Sequence, residues 1–285
     1  MPAATIARPV LRYHGGKFRL APWILKFFPH HKIYVEPFAG AASVLMLKPR
    51  VKSEVYNDLD SRIVNVFRVL RDPIQAAELQ RRVAFTPFAR EEFDATYADP
   101  INDLDAAHKT IVRSFMGHGS DSATRSCRTG FRAKCHDRAL PSIEWGAWHE
   151  VIPAFTARLR GVVIENRDAL EVLARYDTPE SLAYVDPPYV FSTRSAIAGR
   201  TRGTQGYRHE LDDTQHSALA SALRAFSGMV VLSGYPSELY DRELYPDWER
   251  FERRHVADGG KQRTEVVWLN PACSEALRME AGGLF

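Results

Sequence analysis

The sequence is poor in cysteine, with three in 285 residues: Cys127, Cys135 and Cys273. Three cysteines do not make a disulfide framework, so we expect a chain that works in a reducing cytoplasm. The sequence has no apolar run long enough to cross a membrane, and it has no basic start followed by an apolar stretch. We therefore expect neither a membrane protein nor a secretory signal.

Two common kinds of binding site are also missing from the sequence. Cys127, Cys135 and His136 do not have the spacing of any common zinc site, so we expect no metal. A G-x-G-x-x-G fingerprint is absent, which gives no case for a cofactor with a pyrophosphate. Nothing in the sequence indicates an obligate protein partner.

Positive charge is present but unevenly distributed. The net charge is only +3, yet residues 109–138 hold seven basic residues against two acids, and residues 194–208 hold four arginines and no acid. Such clusters suit a phosphate backbone better than the net charge suggests. The alternative is a pair of solvated basic loops.

Short apolar strands alternate with helices along much of the chain. Strands are predicted at 33–35, 55–56, 162–165, 182–185 and 229–233, and "EVVWLNP" predicts one more. Helices are predicted around Leu20 to Phe27, after Asp60 and over 213–226. This alternation predicts an α/β protein with a mainly parallel sheet. Between these regions the sequence becomes rich in Gly, Ser and Arg, which indicates a loop-bearing insertion.

Acidic residues follow four of the predicted strands. Glu36, Asp58, Asp168 and Asp186 lie at or just beyond strand ends. In open parallel sheets, ligands bind outside the carboxyl ends of the strands. These acids therefore predict a ligand site at that edge of the sheet.

The small residues of "EPFAGAAS" and the acid Asp58 favour a particular kind of ligand. Small residues allow a turn to approach a ligand closely, and an acid at the end of the second strand can accept from ribose hydroxyls. Together they suggest a nucleoside-bearing cofactor without a pyrophosphate, and S-adenosylmethionine fits that description. The alternatives are an ordinary tight turn and a helix cap at Asp58, although Asp60 is the better placed cap.

The stretch "YVDPPYV" suits the binding of an amino group on a planar base. Prolines fix the backbone and lack N–H groups, so their carbonyls are left to accept. A carboxylate from Asp186 beside them can accept from a second N–H of the same amine, and Tyr189 can stack on the ring. The alternative is a strand-ending turn with a capping aspartate.

Together with this stretch, four other motifs follow the order found in the Dam-type (D12 class) DNA adenine-N6 methyltransferases: "RYHGGK", "YVEPFAGAAS", "YNDLD" and "NRDALEVL". The chain therefore resembles this family, especially its bacteriophage and prophage members. Its tail, with "VVLSGYPSELYDRELY" and "RTEVVWLNP", resembles them too. The resemblance covers nearly the whole chain outside the central insertion. Ala42 stands where the family usually has its second glycine, which raises the question of how tightly the pocket fits.

This resemblance implies a role for each matched residue. Lys17 would lie near the methionine carboxylate of S-adenosylmethionine, Asp58 would bind its ribose, and Asp168 would accept from its adenine amine. The flipped target adenine would be held by Asp186, Pro187, Pro188 and Tyr189. The other cofactor-binding residues would be Tyr13, Glu36, Phe38 and Gly40, and Asp186 would also border the cofactor.

The resemblance also implies a Rossmann-like S-adenosylmethionine-dependent catalytic domain made of residues 1–65 and 160–285. Residues 66–159 would form a mostly helical inserted target-recognition domain. Methyl transfer to N6 of an adenine flipped out of double-stranded DNA would leave S-adenosylhomocysteine. Alternatives are an RNA adenine, cytosine-N4 or protein glutamine methyltransferase, and a DNA-binding protein with a decayed active site.

The arginines of the two basic clusters are predicted to contact DNA in different ways. Arg200, Arg202 and Arg208 would mainly hold phosphates around the target base. Arg128 and Arg132 flank "TGF" and would read a guanine edge, where an arginine can bond two acceptors at once.

Overall fold

The structure is a computed structural model, and it describes residues 6–123, 128–133, 140–190, 209–256 and 262–282. Seven strands of this described part form one mixed sheet. They are β1 Ile33–Glu36, β2 Ser53–Asn57, β3 Val162–Glu165, β4 Ser181–Val185, β5 Met229–Gly234, β6 Glu249–Val256 and β7 Gln262–Leu269.

The sheet has the strand order β3-β2-β1-β4-β5-β7-β6. The first five strands in this order run parallel, and β7 runs antiparallel to both of its neighbours. Every residue of β4 and β5 is buried, as expected for parallel strands covered on both faces. The chain moves from β1 outward to β3 on one side, then returns to β4 on the other. The strand order therefore reverses between β1 and β4, where ligands bind in open α/β sheets.

The strands predicted from the sequence are confirmed, with bounds that differ by one or two residues for most of them and with β7 extending further towards its amino end. Strand β6 was not predicted. Its sequence, "ERFERRHV", is dominated by charged side chains, and it lies at the sheet edge, where β7 is its one partner among the described strands. Charged residues on an edge strand discourage pairing with other chains, and they also remove the apolar alternation by which a strand is recognised.

The helices flank this sheet. Of these, α3 begins where predicted: the Asp60 side chain accepts a hydrogen bond from the Arg62 amide. The helix predicted around Leu20 to Phe27 is broken into α1 and a single 3₁₀ turn, Leu25–Phe27. The helices are α1 Ala21–Ile24, α2 Ser43–Leu47, α3 Ser61–Arg71, α4 Pro73–Phe85, α5 Arg90–Ala95, α6 Asp103–Met116, α7 Pro141–Gly146, α8 Ile152–Leu159, α9 Ala169–Arg175, α10 Asp213–Ala225 and α11 Pro271–Gly282.

Helices α4 to α8 share one hydrophobic core with the sheet. Helix α3 packs against α4, α6 and α8. Trp145 and Trp148 are buried against Phe115 at ring-centroid distances of 6.0 and 5.4 Å. Phe251 is partly buried and packs against Phe27. The helices in the middle of the chain are therefore held in place by their packing against α3.

A buried charge network fastens α8 to the sheet. Glu54 of β2 accepts from both terminal nitrogens of Arg158 at 2.6 and 2.9 Å, and from Lys48 Nζ at 2.8 Å. Burial by itself would raise the pKa of Glu54, but the hydrogen bonds from Arg158 and Lys48 lower it overall. Arg158 also donates to the Leu45 carbonyl. One carboxylate therefore holds two cations from different elements.

The substitution Glu54→Gln is expected to lower the free energy of unfolding by about 3–5 kcal/mol, because it leaves two buried cations without their counter-charge. Denaturant unfolding at neutral pH measures the change. The matched control is Glu78→Gln, which breaks more exposed pairs with Arg81 and Arg82 and should leave the stability close to that of the wild type. Equal small losses in the two variants would show that the buried network adds no stability.

Candidate active site

A cavity of about 450 Å³ opens at the carboxyl ends of the parallel strands. Its wall comes from the segment before α1, from the loops after β1 to β4, and from the start of α10. Most of the site residues predicted from the sequence line it: Tyr13, Lys17, Glu36, Phe38, Gly40, Asp58, Asp168, Asp186 and Pro188. Residues far apart in the sequence therefore converge on one pocket.

The turn after β1 is shaped by Gly40. Its φ of +48° is a left-handed conformation, and an added Cβ would lie 2.6 Å from the ring of Tyr13. The Tyr13 ring thus occupies the space that a side chain at this position would need. The Gly40 carbonyl accepts from the Tyr56 hydroxyl, which is 3.0 Å away. Glycine is needed here for both its backbone conformation and its lack of a side chain.

Ala42, which replaces the usual glycine, is also left-handed, with a φ of +51°. It is fully buried. Among the described residues, its neighbours Ala41 and Ser43 line the cavity while Ala42 does not. Its methyl group therefore adds backbone strain in the turn without narrowing the cavity.

Asp58 is a partly buried acid bound to two backbone amides. Its carboxylate accepts from Gly40 N at 2.8 Å and from Asp60 N at 2.8 Å. Burial raises its pKa to about 6, despite these hydrogen bonds. Helix α3 is capped by Asp60, so Asp58 is left as a carboxylate at the cavity wall that ties the first two strand-end loops together.

Glu36, the last residue of β1, is a second acid of the cavity wall, and it is buried. It accepts from the Tyr34 hydroxyl at 2.9 Å and from the Leu45 amide at 3.1 Å. Burial raises its pKa to about 8, so its neutral form persists near neutral pH. A cationic ligand in the cavity would favour the ionised form.

Asp168 differs from these two acids in being exposed. It caps α9, with Oδ1 accepting from the Leu170 amide at 2.8 Å. It still lines the cavity, on the side of β3. The sequence pattern did not indicate this capping role, which fixes the direction of the side chain at the cavity mouth.

Asp186 follows β4 and is held from two sides. Ser233 of β5 donates to its Oδ1 at 2.9 Å, and Lys17 Nζ lies 2.9 Å from its Oδ2. Burial raises the pKa of Asp186; Lys17 opposes this shift and the negative charge of Glu265 adds to it. Lys17, which was predicted to lie near the cofactor's carboxylate, also donates to the Gly15 carbonyl.

Among the described residues, Pro187 and Tyr189 stand outside the cavity lining. Tyr189 is buried beside the cavity, with its ring edge-on to Tyr235 at a centroid distance of 4.5 Å. Its hydroxyl donates to Glu265 Oε1 at 2.6 Å. Glu265 was missed in the sequence, where the only signal is an acid at the start of the apolar run "EVVWL".

The predicted DNA-contacting arginines fall into two groups. Arg128 pairs with Asp94 at 3.0 Å and lies over the Tyr97 ring, while Arg132 pairs with Glu144 at 3.1 Å. Neither belongs to the cavity wall. Arg200, Arg202 and Arg208 lie outside the described residues, and so do Cys127, Cys135 and His136.

The described part of the chain contains neither a metal-binding cluster nor a membrane-spanning helix. No group of three or more His, Cys, Asp or Glu side chains in this part of the chain is placed to hold a metal ion. No helix in it has the length and apolar character that crossing a membrane requires.

A mixed seven-stranded sheet with a ligand cavity at the strand ends is consistent with the fold of a methyltransferase. Residues 13–112 match the family model described as "D12 class N6 adenine-specific DNA methyltransferase". The chain is 37% identical over 279 residues to the DNA adenine methylase of Haemophilus influenzae, covering 92% of each protein. It is also 29% identical over 70 residues to the DNA N-6-adenine-methyltransferase of Escherichia phage P1, covering 25% of this chain and 9% of that protein.

The chain therefore belongs to the D12 class of N6 adenine-specific DNA methyltransferases. It is an enzyme that methylates adenine N6 in DNA, as the sequence motifs predicted. The family model covers the cavity residues from Tyr13 to Asp58. The similarity to the Haemophilus influenzae protein extends over nearly the whole chain.

The substitution Gly40→Ala is expected to lower the free energy of unfolding by at least about 1–2 kcal/mol, because a left-handed backbone disfavours a side chain. The clash with Tyr13 adds to this loss, so the loss should shrink in a Tyr13→Ala background. Thermal and denaturant unfolding of the four proteins measure both effects. Gly146→Ala is the control, since nothing lies within 4 Å of an added Cβ there; if it destabilises as much as Gly40→Ala, the special role of Gly40 is refuted.

Proposed function

We propose that this enzyme binds S-adenosylmethionine in the cavity and transfers its methyl group to an adenine flipped out of double-stranded DNA, leaving S-adenosylhomocysteine. The observation that carries the proposal is the position of Asp186. It stands directly after β4 at the cavity wall, followed by two prolines and a tyrosine. Chemistry on a base inside a duplex requires taking that base out of the stack.

The cavity suits this cofactor in size and in chemistry. Its volume of about 450 Å³ lies in the range of small-molecule sites. Asp58 offers a carboxylate to the ribose hydroxyls, and Asp168 offers one to the adenine amine at the cavity mouth. The methionine part would lie against Glu36, Phe38 and Gly40. Once bound, S-adenosylmethionine supplies an electrophilic methyl group.

Tyr13 and Lys17 complete the proposed cofactor site from the N-terminal segment. Tyr13 packs under Gly40, so its ring supports the turn that faces the methionine part. Lys17 brings an ammonium group with three donors, and contact with the cofactor's carboxylate is compatible with its bond to Asp186. Lys17 therefore links cofactor binding to the base-binding motif.

The target adenine would be oriented by acceptors and not activated by a strong base. A carboxylate from Asp186 and the carbonyl of Pro187 would each accept one N–H of the amine, which aims the nitrogen lone pair at the methyl group. Lys17, at 2.9 Å, favours the ionised form of Asp186. As the nitrogen becomes positive, the fixed negative charge of Asp186 stabilises it. Tyr189 would stack on the ring.

We further propose that residues 1–65 and 160–285 form a Rossmann-like catalytic domain and that residues 66–159 form the target-recognition insertion. The reversal of strand order between β1 and β4 supports the first part. The run of helices between α3 and β3, with the basic cluster around Arg128, supports the second. The DNA would then lie across the cavity mouth and the helices of the insertion.

Asp186→Ala is expected to reduce the rate of methyl transfer about 10²–10³-fold, since it removes an acceptor that acts in the transition state. The fold should persist, because Glu265 lies 3.7 Å from Lys17 and still balances its charge. Transfer of a labelled methyl group to duplex DNA gives the rate, and sequencing for N6-methyladenine identifies the product. Asp213→Asn, at an exposed position in α10, is the control. A folded Asp186→Ala enzyme with near wild-type turnover would refute this role.

Arg128→Ala is expected to weaken cognate binding by about 1–3 kcal/mol and to relax specificity at one base position. The paired variant Asp94→Asn keeps the arginine and removes its ion-pair partner, so it should bind DNA at least as tightly as wild type. Affinity for cognate and scrambled duplexes across a salt series measures both. If both variants behave as wild type, the arginine is a solvated surface charge; a uniform loss with a shallower salt dependence would assign it to a phosphate instead.

A further inference from the structure

Glu265 is a buried carboxylate close to the base-binding motif but outside the cavity wall among the described residues. It lies on β7 and is 1% exposed. Buried acids are rare unless they are paired. The contacts proposed for the cofactor and for the base leave the role of this buried acid unexplained.

The partners of Glu265 come from three different parts of the chain. Its Oε1 accepts from the Tyr189 hydroxyl at 2.6 Å and lies 3.7 Å from Lys17 Nζ. Its Oε2 lies 3.6 Å from His255 Nε2 on the neighbouring strand β6. One carboxylate therefore connects the tyrosine of "DPPY" with the lysine that pairs with Asp186.

This arrangement restrains the Tyr189 ring on several sides. Its hydroxyl is anchored by Glu265, its ring meets the edge of Tyr235, and Lys17 Nζ lies 4.9 Å from its centroid. A hydrogen bond to a charged acceptor is stronger and more directional than one between neutral groups. Without the hydrogen bond to Glu265, the Tyr189 ring would lose one of the contacts that hold it in place.

We propose that Glu265 is a positioning residue for methyl transfer: it holds the Tyr189 ring in place for the flipped base and shares the Lys17 ammonium with Asp186. This inference rests on the proposed function of the "DPPY" motif. Glu265 does not touch the reacting atoms in this scheme; it acts through Tyr189 and Lys17. A supporting shell of this kind keeps a catalytic constellation within the narrow geometry that it needs.

The test compares Glu265→Gln, Tyr189→Phe and the double variant. Each single change should lower the methyl-transfer rate about ten-fold, the factor that corresponds to a lost hydrogen bond to a charged group. The double variant should lose no more than the worse single variant, because glutamine leaves only a neutral acceptor and phenylalanine leaves no donor, so that both changes end the same charge-assisted hydrogen bond. In each of the three variants, the KM for S-adenosylmethionine should differ from the wild-type value by less than two-fold, which corresponds to about 0.4 kcal/mol at most.

A pH–rate profile separates positioning from a merely structural role. The charged or titratable groups around Asp186 are Lys17, Glu265, Tyr184, Glu36, Tyr235 and Tyr240. Of these, Glu265 contributes a negative charge that raises the pKa of Asp186. Glu265→Gln should therefore move the acid limb of the profile to lower pH, whereas Tyr189→Phe should leave it in place.

Glu252→Gln serves as the control, because Glu252 is an exposed acid on β6; it should keep the wild-type rate and profile. The proposal would be overturned if the rate losses of the two single variants multiplied in the double variant. It would also be overturned if the acid limb of the pH–rate profile stayed in place in Glu265→Gln. If Glu265→Gln does not fold, Tyr189→Phe decides alone: a wild-type rate in that variant refutes the positioning role. A wild-type enzyme that transfers no methyl group to adenine would instead refute the proposed function.

Discussion

The ion pair between Lys17 and Asp186 is the contact on which the site depends. It joins the segment before α1 to the end of β4, and both side chains are largely shielded from water. In such surroundings a single unpaired charge is far more costly than a matched pair. The N-terminal segment is therefore held against the central strands, and with it Tyr13, which supports the turn at Gly40.

The sheet topology explains why acids from separate motifs meet. Strand β1 ends in Glu36, β2 is followed by Asp58, and β4 is followed by Asp186; these three strands are neighbours in the sheet. Parallel neighbours present their carboxyl ends at the same edge. Burial then raises the pKa of Glu36, Asp58 and Asp186 in common, so the cavity disfavours the charged form of each of these carboxyl groups.

Much of the fold could be predicted from the sequence because buried parallel strands are short apolar runs with a clear boundary. Strand β6 could not, since its charged residues follow no apolar period. Nine of the residues that line the cavity were predicted from motifs that combine rare residue types in a fixed order. Glu265 was not, because its burial depends on Tyr189 and Lys17, which approach it only in the folded chain. The pairing of Arg128 with Asp94 is hidden from the sequence for the same reason.

The position of β1 has a consequence for how the enzyme is made. During synthesis β1 can pair with β2 early, but its other neighbour, β4, begins only at Ser181. Contacts between distant segments form slowly because a long loop must first close. The nascent chain therefore carries half of the cavity, with its acids facing water, until the second half of the sheet has left the ribosome. Under the proposed role of Asp186, a chain that ends before β4 cannot transfer a methyl group, since the contact between Asp186 and Lys17 forms only when β4 has joined β1.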